Sequence, residues 1–377
     1  MAKRIIYADH AATTPLSISA QLAMKPFLES DFYNPSTKYA AARNARHAVE
    51  EARKKIADCI NALPEEIYFT SGGTEADNWA IKGIAFRYLN QRKKIVASQI
   101  EHHAVLNSCA FLERIGYVVE YVPVNATGLV DEECFEKALT QDTVLASVML
   151  VNNEIGTIEP IAKLTEFAHR HNVLFHTDAV QALGNIHVDV RQLDVDMLSA
   201  SAHKFGGPKG TGFLYVKKGI ELEALLSGGG QESWKRAGTE NVASIVGMAA
   251  ALEAKCKDLS KEIERLKRIR KSFIDTLCQT ALDYRINAAP NTHPGTISLS
   301  IRGINGELLL HRLDLMGIQV ATGSACDSKE NQLSHVIKAL RIPMEYASGT
   351  IRISFGEDNE ESDAVEIVRA IEKICKK

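Results

Sequence analysis

Over 44–60 the apolar residues Ala45, Ala48, Val49, Ala52, Ile56 and Ile60 recur every three or four positions among Arg, Lys and Glu, which predicts an amphipathic helix. Short β-rich runs follow at 67–69, 94–98, 118–122, 144–151, 173–177 and 212–216, and helical segments such as 163–171 lie between them. This alternation predicts a layered α/β region. The run 144–151 is almost wholly apolar, as in a strand covered on both faces, and is expected near the centre of a mainly parallel sheet. The longest helical pattern spans 241–282, where Ile245, Ala249, Leu252, Cys256, Leu259, Ile263 and Leu266 keep helical spacing without a proline. It is expected to link two domains. Beyond it, 296–301, 307–316, 336–340 and 350–355 mix strands and helices without strict alternation, as in a smaller α+β domain. The boundary is expected near residue 258.

Composition narrows the class of function. The 377 residues are 45% hydrophobic and 24% charged, with no low-complexity tract or internal repeat, which suits a folded chain of about two domains. Forty-four basic against 47 acidic residues leave a net charge of −3, so neither nucleic acid nor an anionic membrane is the expected partner. The start, MAKRIIYADHAATTPL, has no apolar run fit for a signal peptide, and no later stretch is long enough to span a bilayer. A cytoplasmic location is expected. Seven scattered cysteines form no CxxC pair, so free thiols in a reducing compartment are expected rather than disulfides or a zinc site.

Four segments carry candidate chemistry. FTSGGTEADN (69–78) reads as strand, turn and helix, placing Gly73 and Thr74 at a helix N-terminus suited to a phosphate; taken alone, an ordinary helix capped by Thr74 or Ser71 reads slightly better. TDAVQ (177–181) ends a strand with Asp178 at the carboxyl edge of the sheet, where an acid can pair with a protonated ring nitrogen or simply cap the next helix. SAHKFGGPKGTG (201–212) sets Lys204 between small residues and a Gly/Pro turn, a place for a Schiff-base lysine, with Ser201 and His203 able to hold a phosphate. GSACDSKENQ (323–332) places Cys326 in a small polar stretch expected to be an exposed loop, the thiol best placed as a nucleophile. The pair His102-His103 has no third residue at ligand spacing, so no metal is expected.

The order of these motifs, together with YADHAATTP (7–15), NPS (34–36), EHHAV (101–105), VNNEIGTI (151–158), GGGQE (228–232), RAGTEN (236–241) and TIRISFG (350–356), resembles that of the NifS/IscS-type cysteine desulfurases. These are fold-type I pyridoxal-phosphate enzymes, and the resemblance runs nearly end to end. It implies a large, mainly parallel-sheet α/β domain over 15–258. A small α+β domain from 1–14 and 259–377 would carry the catalytic cysteine loop and a carboxylate-binding arginine. It also implies conversion of L-cysteine to L-alanine with pyridoxal 5'-phosphate on Lys204, a persulfide on Cys326, and His102 stacked on the cofactor ring and moving protons. Asp178 would pair with the ring nitrogen and Gln181 with the ring hydroxyl. Gly73, Thr74, Ser201 and His203 would hold the phosphate, with Thr239 reaching in from the second subunit of a homodimer. Arg352, Asn153 and Asn34 would bind substrate, Asn153 also lying against the cofactor. A protein sulfur acceptor such as an iron-sulfur scaffold is the implied partner.

The chain departs from the family pattern at Tyr33, Tyr39 and Ala42, at Ser233-Trp234 where Arg-Gly is usual, and after Cys326. There Asp327 is expected to raise the thiol pKa unless Lys329 or the cofactor offsets it. An aminotransferase, a selenocysteine lyase or another β-eliminating lyase shares the fold, as would a catalytically silent scaffold protein. Cys326 separates the desulfurase from the other enzymes, because transamination needs no mobile thiol.

Overall fold

A computed structural model of the chain describes residues 4–323 and 333–376. Seven strands form the main sheet, in the spatial order Ile67–Thr70, Gly212–Val216, Met197–Ser201, Leu174–Asp178, Thr143–Ser147, Lys94–Ser98 and Val118–Val122. Only Gly212–Val216 runs antiparallel to its neighbours; the remaining adjacent pairs are parallel. Three of the inner strands, Gly212–Val216, Met197–Ser201 and Thr143–Ser147, are buried at every position and Leu174–Asp178 at all but its first, whereas the edge strand Val118–Val122 alternates exposed and half-buried residues up to a buried Val122. This is the burial expected of a sheet covered on both faces.

The expected strand over 144–151 is shorter than its apolar run. Pairing ends at Ser147, and Val148 to Val151 continue as buried, irregular backbone. They stay dry because Val148 and Leu150 donate backbone hydrogen bonds to the carbonyls of His176 and Asp178.

Helix Arg43–Ile60 buries Ala45, Val49, Ala52, Ile56 and Ile60 on one face and stops at Asn61, whose φ of 57° closes it in the left-handed region. Helix Val242–Leu277, 36 residues long, begins on an Asn241 cap that accepts from Ser244 N at 3.3 Å. Its first part packs Ile245, Met248, Ala249 and Leu252 into the core on one face of the large sheet. Its last part packs Leu266, Ile269, Phe273 and Leu277 into a separate core. Built on that second core is the antiparallel sheet Thr350–Ser354, Thr296–Ile301, Tyr284–Ile286. The chain start joins it: Ile6–Tyr7 pairs in parallel with Ile318–Gln319, and Ile6 and Ala8 are buried there.

The segment around Glu232 is conformationally unusual. Glu232, Ser233 and Trp234 take φ values of 46°, 57° and 68° in succession, a region disfavoured for side-chain-bearing residues. Glu232 is held there by Arg53, whose Nη1 and Nη2 reach its carboxylate at 2.9 and 2.8 Å, and by Phe69 N at 2.9 Å. Trp234 remains 77% exposed. No described helix is long and apolar enough to cross a membrane.

Candidate active site

The carboxyl edge of the large sheet gathers the chemistry. Asp178 and Ser201 are the last residues of their strands, His102 follows Lys94–Ser98, and the turn after Ile67–Thr70 opens helix Gly73–Arg87. Between them lies a cavity of about 580 Å³ lined by Gly73, Thr74, His102, Asn153, Asp178, Gln181, Ser201, His203, Lys204 and Arg352, among others. A second cavity of about 500 Å³ lies on the other side of Lys204, against the long helix. It lacks the helix N-terminus, His102 and Asp178, so the first is the candidate site.

Lys204 Nζ donates to the carbonyl oxygens of Ala11 and Ala12 at 2.6 and 2.8 Å. Gln181 Nε2 donates to the same Ala11 oxygen at 2.9 Å, so the segment before helix Ile18–Glu29 fixes both side chains. His203 Nδ1 lies 3.1 Å from Thr13 Oγ1. Burial first, then the charges of Lys204 and Lys209, press its pKa down to about 4, which leaves a neutral ring.

At the helix N-terminus the first-turn amides have no intrahelical acceptor, and Gly73, Thr74 and Glu75 line the cavity. The backbone there approaches its neighbours closely: a Cβ on Gly73 would sit 2.6 Å from Val180 Cγ2, and one on Gly212 would sit 2.7 Å from Gly72 Cα. Glycine at both positions lets the turn lie against the strand beneath it.

His102 caps helix His103–Arg114, its Nδ1 accepting from Ala104 N at 3.1 Å. That bond fixes Nδ1 as the unprotonated nitrogen and leaves Nε2 to carry the ring hydrogen. Asp178 is 4% exposed and accepts from Val180 N at 2.9 Å. Burial raises its pKa, against the lowering effects of that bond and of Lys204. Arg352, 3% exposed, is anchored through Nη2 to Asp9 Oδ1 at 2.6 Å and through Nη1 to the Asn153 carbonyl at 2.9 Å. Its Nε is a buried donor without a hydrogen-bond partner among the described residues.

Two of the sequence candidates are not brought to this cavity within a single chain. Asn34 is exposed in a turn, its Oδ1 accepting from Ser36 N at 2.9 Å. Thr239 lines a neighbouring cavity of about 230 Å³ with Ser71 and Gly210. Cys326, Asp327 and Lys329 lie outside the described residues. Sequence reasoning missed Asp9, the orienting partner of Arg352, and Asp77, a fully buried acid on the inner face of helix Gly73–Arg87. The register of that helix, with Asp77 one turn after Gly73, is the signal that points it inward.

Comparison with known proteins adds an independent finding. The profile of the aminotransferase class-V family matches residues 6–367. The chain is 48% identical over 376 residues to a protein of Dictyoglomus turgidum named cysteine desulfurase IscS, covering 100% of this chain and 95% of that one. It is 39% identical over 364 residues to the mouse protein named cysteine desulfurase, covering 96% of this chain and 79% of that one. Among solved structures, a NifS-like protein superposes with a TM-score of 0.93 at 35% identity, over 99% of this chain and 100% of that one. The structure titled SspA in complex with cysteine superposes with a TM-score of 0.82 at 35% identity, over 93% of this chain and 98% of that one.

Proposed function

The chain belongs to the class-V aminotransferase family and, within it, to the cysteine desulfurases, and on that premise we propose how its residues divide the conversion of L-cysteine to L-alanine. The observation that carries the reading is the convergence on one cavity of Lys204, Asp178, a helix N-terminus and Arg352 with its unpartnered buried Nε.

That cavity fits pyridoxal 5'-phosphate. Its volume suits a ligand of that size, and a buried acid, an amine and a phosphate-sized cradle lie in one site. Lys204 would carry the cofactor, Asp178 would face its ring nitrogen and Gln181 its hydroxyl. Gly73, Thr74, Ser201 and His203 would hold the phosphate. When bound, the cofactor supplies an electron sink for the pair released at the substrate α-carbon.

The chain's own residues do the rest. Arg352, pre-oriented by Asp9 and the Asn153 carbonyl, offers Nε to the substrate carboxylate. His102, its Nδ1 accepting from the Ala104 amide, would lie against the bound cofactor and move a proton through Nε2. Cys326, as thiolate, attacks the sulfur of the substrate. A sulfur–sulfur bond forms, the substrate's carbon–sulfur bond breaks, and the carbon fragment takes up protons and leaves as alanine. The persulfide then passes to a protein acceptor. In a homodimer, Thr239 would act in the site of the second copy. The division into domains 15–258 and 1–14 with 259–377 is supported by the two separate cores joined by the long helix.

Borohydride reduction of the holoenzyme followed by peptide mapping tests the placement of the cofactor. The adduct is expected on the peptide containing Lys204; an adduct on another lysine, or none, overturns the assignment.

A further inference from the structure

Behind Asp178 sits a second acid that the proposed mechanism does not use. Asp77 is 1% exposed, and its Oδ1 has no hydrogen-bond partner among the described residues. Polar atoms of Asp77, His102 and Asp178 all lie within 4.8 Å of one another. The nearest basic group on its far side is His176, whose Nε2 is 3.7 Å from Asp77 Oδ1, beyond hydrogen-bond reach. Both His176 nitrogens are already engaged, Nδ1 with Ser147 Oγ at 2.9 Å and Nε2 with Ser199 Oγ at 2.9 Å. Burial drives the pKa of His176 down to about 3, so this imidazole brings no positive charge to the cluster.

The groups facing Asp77 are therefore Asp178 and His176 on one strand, Ser199 on the next, Glu101 and His102 on the segment after Lys94–Ser98, and Lys204 beyond Asp178. Burial pushes Glu101 up to about 8 as well, so it is neutral near pH 7. Burial first, then the charge of Asp178, raise Asp77 well above the usual carboxylate range, and a hydrogen bond from Ser199 opposes them only in part. Of two adjacent buried carboxyls with a cation beside only one of them, Lys204 near Asp178, the other is the one that keeps its proton.

We propose that Asp77 is a positioning residue for the desulfurase reaction: uncharged, it stands behind Asp178 as a hydrogen-bond donor and leaves Asp178 as the single carboxylate facing the cofactor ring nitrogen. The inference rests on the reading of the cavity as a pyridoxal-phosphate site, but the protonation of Asp77 does not need the cofactor to be bound. A charged Asp77 would compete with Asp178 for the ring proton and for Lys204. A neutral one orients Asp178 without adding charge.

The test combines two variants and two readouts. In the apoprotein near neutral pH, the infrared difference between wild type and Asp77→Asn is expected to show loss of a protonated-carboxyl stretch. In the holoenzyme, the pH midpoint of the visible cofactor band is expected to stay within about 0.3 units in Asp77→Asn, which keeps a neutral donor at the same place. Asp77→Ser, which is too short to reach Asp178, is expected to shift that midpoint by about one unit and to lower kcat on the order of tenfold. Loss of a carboxylate stretch in place of the protonated one, or a midpoint moved by a unit or more in Asp77→Asn, would show that Asp77 is ionised and overturn the proposal. Unchanged midpoint and kcat in both variants would remove its positioning role. A wild-type protein that develops no cofactor band would instead refute the reading of the cavity, while the apoprotein spectra would still decide the state of Asp77.

Discussion

Replacing Arg352 by lysine isolates the planar fork from the charge. The guanidinium is 3% exposed and spends Nη2 on Asp9 Oδ1 at 2.6 Å and Nη1 on the Asn153 carbonyl at 2.9 Å, leaving Nε for a ligand. A lysine ammonium keeps the charge that Asp9 needs, so no buried carboxylate is stranded, but it cannot span Asp9, Asn153 and a substrate carboxylate together. The loss is one hydrogen bond to a charged group, about 1.5–3 kcal/mol, or roughly 10- to 100-fold in kcat/KM. In the proposed role Arg352 would hold the α-carboxylate alike before and during bond breaking, so the change is expected mainly in KM. Alanine formation measured against L-cysteine concentration reads it, with the thermal midpoint as a control. A KM within about twofold of wild type, at an unchanged midpoint, would show that the carboxylate binds elsewhere.

Other perturbations follow from the same packing. Burial holds Glu101 at about 8, above its unfolded value, so the native state keeps a proton that the unfolded chain releases. Its contribution to stability is full below the unfolded pKa and is lost as pH rises toward 8; Glu101→Gln should flatten the fall of the thermal midpoint over that window, and an unaltered slope would contradict the burial argument. Trp234 combines a φ of 68° with 77% exposure, so Trp234→Gly should stabilise by about 1 kcal/mol, read as a thermal midpoint raised by a few degrees; a lowered midpoint would mean that the indole is packed in the native protein. Gly73→Ala, whose methyl would meet Val180 Cγ2 at 2.6 Å, should weaken retention of pyridoxal phosphate on dialysis by about tenfold. Retention equal to wild type would move the phosphate away from that turn.

Elements with one wet face were legible from periodicity alone. The helix over 44–60 shows its buried stripe because the opposite face is charged, and its structural bounds, Arg43–Ile60, differ by one residue. The stretch 144–151 was not legible in the same way. Its last four residues are as buried as a strand but are tied to His176 and Asp178 as irregular backbone, and an apolar run carries no mark of where pairing stops. In the site, Lys204, Asp178 and the Gly73 turn were visible because each stands at a strand end beside small residues. Asp9 and Asp77 were not, since an acid inside a strand-like or helical segment reads as solvated until the fold shows what covers it. The placement of Asn34 and Thr239 outside the single-chain cavity likewise depends on contacts that no local pattern encodes.

Incubating the holoenzyme with L-cysteine and a thiol reductant, and quantifying alanine and sulfide for wild type, Lys204→Ala and Cys326→Ala, tests the division of labour between lysine and thiolate. Equal amounts of both products are expected from wild type, and neither from the two variants. Alanine and sulfide formed at the wild-type rate by Cys326→Ala would contradict the thiolate attack. A wild-type holoenzyme that forms no alanine would contradict the desulfurase assignment itself.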